Sequence, residues 1–288
     1  MVDILQNSEN QQEILIAEYK SQLMRMSELV LSDRLPDYPI DALFIHARSG
    51  SDEGGIIELA AELLLSGKVK NIVVTGSDGQ GMGSSPLADY QRGLDKSTAW
   101  AGKADWAKKL DEKGVDVGEF VYFSTPAFHT SGENDVYTDI AKELGWHGAA
   151  TLTHPHQLLR ACMGQLKSIQ KLETVDPSYK LDVYNVYPKE TAWEEIVAGS
   201  QGKDPKPRRV HASDEYLRIV KYTGQGSLAT FDDLIKYWKN RGGVNLEDIM
   251  KNRSRISSQP EHIKNVEVIN KAIDSLGPEV YDPLFTTK

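Results

Sequence analysis

The chain has 288 residues, 40% of them hydrophobic and 26% charged, with a formal charge of -9. That composition describes a globular protein with enough apolar material for a sizeable core. The acidic excess excludes a global field that would draw nucleic acid or an anionic membrane surface, and no apolar run reaches the roughly 18 residues of a membrane span. Met1 to Asn10 lacks the apolar centre of a secretory signal, so a cytoplasmic protein is expected. Cys162 is the only cysteine, so no intrachain disulfide can form. It lies in a helical pattern with no base beside it and reads as a small buried side chain.

Apolar residues recur at helical spacing from Glu13 to Leu31, through Ile16, Tyr19, Leu23, Met26 and Val30, which predicts an amphipathic helix. Pro36 and Pro39 close it. An alternation of strands and helices then begins. Ala42 to Ile45 is a short apolar strand, Glu53 to Leu65 a helix, and Asn71 to Thr75 a β-branched strand. Thr98 to Lys113 is a helix, Phe120 to Phe123 a strand, and Glu133 to Leu144 a helix. Ala149 to Leu152 is a strand, Gln157 to Gln170 a helix, and Leu181 to Tyr187 a strand whose alternation suits a sheet edge. This rhythm specifies a parallel sheet with right-handed crossovers. After Pro188 only helices are expected, at Glu190 to Val197, Ala212 to Tyr222, Phe231 to Lys239 and Glu261 to Leu276. The expected fold is therefore α/β: a Rossmann-like three-layer sandwich with a mainly parallel five-stranded sheet and a helical C-terminal extension. Its segments are residues 1–40 as an N-terminal helix and linker, 41–188 as the α/β domain, and 189–288 as the extension.

In such a sheet the loops after the strands gather on one edge, where ligands bind. The first loop carries Arg48 among glycines, a planar fork for a carboxylate or phosphate. The second, Thr75 to Pro86, brings Gly76, Ser77 and Asp78; it has neither the dinucleotide fingerprint nor a Walker lysine, and it reads as a ligand-covering turn. In the third, Thr130 and Ser131 are N-cap candidates, and the free N–H groups at that helix start can hold an anion. The fourth runs Thr153-His154-Pro155-His156-Gln157, with Arg160 one turn into the next helix. Its histidines suit hydrogen bonding or proton transfer. A metal would need a third ligand such as His129 or Asp78, and no metal is expected. The basic run from Lys203 to Arg209 is either a solvated loop or a lid that carries cations to an anionic ligand. Trp193, Tyr216, Tyr222, Tyr237 and Trp238 are expected to pack the extension onto the sheet, the alternative being interface anchors.

Val74-Thr75-Gly76-Ser77, Thr130-Ser131-Gly132-Glu133-Asn134 and Thr153 to Ala161 together resemble the motifs of the YdcF/SanA/ElyC-like family, a domain of unknown function, over roughly Asp41 to Tyr187. The soluble YdcF branch is the nearer one. The Glu133-Asn134 and Arg160-Ala161 pairs carry the likeness; the family's histidine before the arginine falls on Gln157, its glycine pair falls on Ser77-Asp78, and no acid stands near Ala101 or Lys103 where the family has a glutamate. The resemblance implies a Rossmann-like fold, S-adenosylmethionine binding and an undefined enzymatic role. On this reading His156, Glu133 and Arg160 form a catalytic group, and Arg48, Gly76, Ser77, Asp78, Thr130, Asn134 and His154 bind S-adenosylmethionine or a related nucleoside. The other reading is a hydrolase or transferase acting on a phosphorylated or nucleotide-like substrate with the same residues. The expected partner is a small molecule, with neither nucleic acid nor membrane, and a homo-oligomer is compatible with the sequence.

Overall fold

The computed structural model describes residues 2–46, 55–75, 91–92, 101–123, 130–197 and 205–285. Its centre is a sheet of five parallel strands: β1 (Ala42–His46), β2 (Ile72–Thr75), β3 (Val121–Phe123), β4 (Gly148–Leu152) and β5 (Asp182–Val186). The spatial order is β3-β2-β1-β4-β5, with Gln91–Arg92 added antiparallel outside β3. The α/β sandwich read from the sequence is present, and β5 is the edge strand that its alternation suggested. The two-residue strand at Gln91–Arg92 was not expected, because two polar residues carry no strand period.

The central strands are short and apolar because both of their faces are covered. Leu43, Ile45, Ile72 and Val74 point to one side, where they join Ile56, Ile57 and Ala60 of α2 (Ile56–Leu65) and Trp106 and Leu110 of α3 (Ala101–Glu112). Phe44, Val73, Ala149 and Val183 point to the other, against Tyr137 and Ile140 of α4 (Thr130–Glu143). Leu43, Phe44 and Ile45 have no exposed surface, and burial of each such side chain contributes about 1.5–3 kcal/mol.

The N-terminal helix α1 (Val2–Leu31) and the C-terminal helices share this core. Leu23, Met26 and Leu29 of α1 pack with Tyr216, Ile219 and Ile269. The cap consists of α6 (Arg208–Gly224), α7 (Phe231–Asn240), α8 (Leu246–Ile256) and α9 (Pro260–Asp274), with α5 (Pro155–Val175) between cap and sheet. Trp193, Tyr216 and Trp238 are buried and Tyr222 and Tyr237 half-buried, so these aromatics pack the cap.

Two expectations fail in the cap. Glu190 to Val197 is not a helix. Arg208 is buried there and donates to the Ala192 carbonyl and the Glu195 carboxylate. The segment turns around that guanidinium, and Ile196–Val197 then pairs antiparallel with Lys206–Pro207. The second failure is α8, absent from the expected elements. It buries only Ile249 and Asn252, too narrow a stripe for periodicity to register. Its local signature is the capping box, in which Asn245 accepts from the Asp248 N–H and Asp248 accepts from the Asn245 N–H.

The free edge of β5 is closed by side chains rather than by another strand. The Val183 N–H donates to the Tyr237 hydroxyl at 2.6 Å, and Arg241 donates to the Val183 carbonyl at 2.7 Å. The Asn185 N–H donates to Asp33 at 3.0 Å. Asp33 and Arg241 form a fully buried ion pair at 2.6 Å, with the guanidinium 4.4 Å from the Tyr184 ring centre. Edge groups satisfied in this way do not template pairing with another chain.

Candidate functional site

The crossovers leave β1 and β4 in opposite directions, so the carboxyl ends of these adjacent strands form a topological switch point. His46 is the last residue of β1 and lies on the face of Phe44, under α4. Tyr137 of α4 stacks on Phe44 at 4.7 Å and meets the His46 ring edge-on at 5.2 Å. The Tyr137 hydroxyl donates to the Ile45 carbonyl and accepts from the Thr75 N–H. Tyr137 therefore ties α4 to β1 and β2. Burial, followed by the charge of Glu133, holds its phenol well above the usual range, so it stays a neutral donor.

This registration brings Glu133, one turn earlier in α4, to His46. Nδ1 of His46 lies 2.8 Å from Oε2 of Glu133, and both side chains are buried. An ionised carboxylate only accepts, so Nδ1–H donates, and in the neutral ring Nε2 keeps its lone pair. Nε2 is buried and, among the described residues, has no hydrogen-bond partner. A carboxylate that orients an imidazole in this way sets up a general base or acid at the far nitrogen.

The next residue in α4, Asn134, has a buried side-chain amide whose oxygen and nitrogen have no partner among the described residues. Gly164 of α5 makes room for it: a Cβ at 164 would lie 2.3 Å from the Asn134 nitrogen. Gly164→Ala gains up to about 1 kcal/mol of helix propensity but overpacks this contact at a cost of about 1–3 kcal/mol. A net fall in the urea midpoint is expected. An unchanged or raised midpoint would mean that the Asn134 amide swings aside freely.

The other expected residues take their own places. His154 is the N-cap of α5, its carbonyl accepting from the Gln157 N–H, and Pro155 fills the first helical position. The helix thus begins two residues before its expected start at Gln157, and His156 lies within its first turn. The His156 ring is buried, 5.9 Å from His154 and 5.8 Å from Trp193. Gln157, which stands where the resemblance has a histidine, accepts a hydrogen bond from the Thr153 hydroxyl at 2.7 Å. Arg160 donates from Nε to Glu215 at 2.6 Å, and Arg218 donates to the other oxygen of that buried carboxylate. Glu133 therefore faces His46, His156 faces Trp193, and Arg160 faces the cap. Arg48, Gly76, Ser77, Asp78 and His129 lie outside the described residues; Thr130 opens α4, but its side chain is not described.

In the basic run Lys206, Arg208 and Arg209 pair with Asp214, Glu195 and Glu194. Arg208 is buried in the cap ribbon, whereas Arg209 and Lys206 form exposed or half-exposed surface pairs; Lys203 and Asp204 lie outside the described residues. Cys162 is buried, as its setting suggested, and burial pushes its thiol up to about 12, with Asp33 adding to the shift. Its reaction with a disulfide reagent is expected to be at least about 100-fold slower in the native than in the unfolded protein. Similar rates in a stopped-flow comparison would contradict that burial.

His46 is the candidate site residue that local sequence signals do not single out. Its one signal was a polar side chain at the end of an apolar strand, on the Phe44 face. The partner lies 87 positions away, beyond any local spacing rule. Among the described residues, no group of three or more histidine, cysteine or acidic side chains gathers as a metal site, and no helix is long and apolar enough to cross a membrane. No family model, curated protein or solved structure matches the chain.

Proposed function

We propose that this chain binds a small polar molecule at the carboxyl edge of the sheet, between the ends of β1 and β4, and that His46, oriented by Glu133, exchanges a proton with it at Nε2. The observation that carries this reading is the buried Glu133–His46 pair at the switch point, its outer nitrogen without a partner among the described residues. An unsatisfied buried nitrogen costs about 1–3 kcal/mol, which a ligand donor would recover.

S-adenosylmethionine or a related nucleoside is the first ligand to test, on the YdcF-like resemblance of Glu133-Asn134 and Arg160-Ala161. A hydrolase or transferase reaction on a nucleotide-like substrate is the second reading, favoured by the acid–base geometry of His46 and Glu133. In that reaction Arg160 would have to leave Glu215, or share it, in order to reach an anion. Calorimetric titration with S-adenosylmethionine, adenosine monophosphate and a sugar phosphate separates the readings. Saturable heat with the first supports the nucleoside ligand, and heat only with the phosphates supports the second reading. No heat with any of the three would remove both.

A further inference from the structure

A second cleft lies where the end of α1, the end of β5 and the helices α8 and α9 meet, with a volume of about 290 Å³. Its apolar lining comes from Leu31, Leu59, Leu63, Val186 and Ile256. One wall is His262, a residue 4% exposed whose ring nitrogens have no hydrogen-bond partner among the described residues. Burial lowers the pKa of this ring; Arg253 acts in the same direction and Glu28 opposes it. In its neutral form the ring offers one donor and one acceptor to a ligand.

The mouth of the cleft is cationic on a chain that is acidic overall. Arg34, Arg255 and Lys189 line it, with Glu261 as the opposing acid. Asp33 also lines it but is neutralised by Arg241. Among the described residues the mouth cations make one ion pair, Arg34 with Asp37; it is 3.7 Å long and its carboxylate is almost fully exposed, so it competes weakly with a ligand. Arg255 donates to the neutral amide of Asn252 at 2.9 Å, which keeps its charge available. The volume is at the lower end of the about 300–1,000 Å³ common to ligand sites, which suits a compact molecule.

We propose that this cleft binds a small amphipathic anion, with its carboxylate or phosphate head at Arg34 and Arg255, its compact apolar body among the leucines, and a polar atom on the His262 ring. The chemistry is that of a short branched-chain or aromatic acid or its phosphate counterpart. The site is distinct from the His46–Glu133 pair and stands whether or not that pair binds a ligand.

The test is a nuclear magnetic resonance titration of the full chain carrying ¹⁵N-histidine, with 4-methylpentanoate, phenyl phosphate and the neutral 4-methylpentanamide as probes. Saturable shifts of the His262 ring nitrogens are expected with at least one anion and not with the amide; which anion acts identifies the head group. Arg255→Glu, on an exposed helix position, is expected to leave the fold intact and weaken that anion about tenfold. Absence of a saturable His262 shift with both anions, equal binding of the amide, or an unchanged affinity in Arg255→Glu would overturn the proposal.

Discussion

Arg241→Ala is expected to lower the free energy of unfolding by about 3–5 kcal/mol, the cost of leaving one member of a buried ion pair without its partner. The carboxylate of Asp33 has no exposed side-chain surface, so water does not replace the guanidinium without opening the edge of β5. The same change orphans the carbonyls of Val183 and Val244, to which Arg241 donates. Urea unfolding of the variant checks the magnitude. The double change Asp33→Leu with Arg241→Met removes the stranded charge and is expected to be less destabilising than Arg241→Ala alone. Its remaining loss comes from edge groups of β5 left without partners, about 1–3 kcal/mol each. A loss below about 1 kcal/mol in the single variant would mean that solvent already reaches the pair.

On the hydrolase or transferase reading, His46→Gln is expected to lower turnover of a nucleotide-like substrate by about 10²- to 10⁴-fold, the usual contribution of a positioned acid–base group. Glu133→Gln is expected to be nearly as damaging for a different reason. The amide that replaces the carboxylate can donate to Nδ1, and the imidazole proton then moves to Nε2, giving the wrong tautomer for a base. Neither change removes core volume, so melting temperatures are expected to stay within a few degrees of the parent. Steady-state kinetics and calorimetry on the two variants read this directly. Equal loss of folding and turnover would make the pair a structural contact between α4 and β1.

The sheet was legible because its strands are short, apolar and separated by helices, a pattern that burial on both faces imposes. β5 was legible as an edge for the complementary reason: Asp182 and Asn185 interrupt its apolar run. What closes that edge was not legible. Asp33 lies just past the end of α1 and Arg241 just past α7, and no local sequence signal marks either as a buried charge. Their pairing exists only once α1 and the cap helices have packed. The candidate site divides in the same way. Glu133 and Asn134 stood out through a short motif, and His154, His156 and Arg160 through the turn after β4. His46 was passed over because its chemistry comes from Glu133, and only the stacking of Tyr137 on Phe44 sets the two at hydrogen-bond distance. Arg160 looked like an anion ligand because Glu215, from a cap helix distant in sequence, was invisible to it. The helix expected over Glu190 to Val197 failed because the buried Arg208 guanidinium recruits the Ala192 carbonyl and Glu195 into a turn. α8 escaped notice because its contact with the core is two residues wide.

A crystal structure of the protein soaked with S-adenosylmethionine tests the central claim most directly. A polar ligand atom at about 3 Å from Nε2 of His46, with Nδ1 still on Glu133, is the predicted result. Ligand bound away from the ends of β1 and β4, with the His46–Glu133 pair untouched, would contradict it.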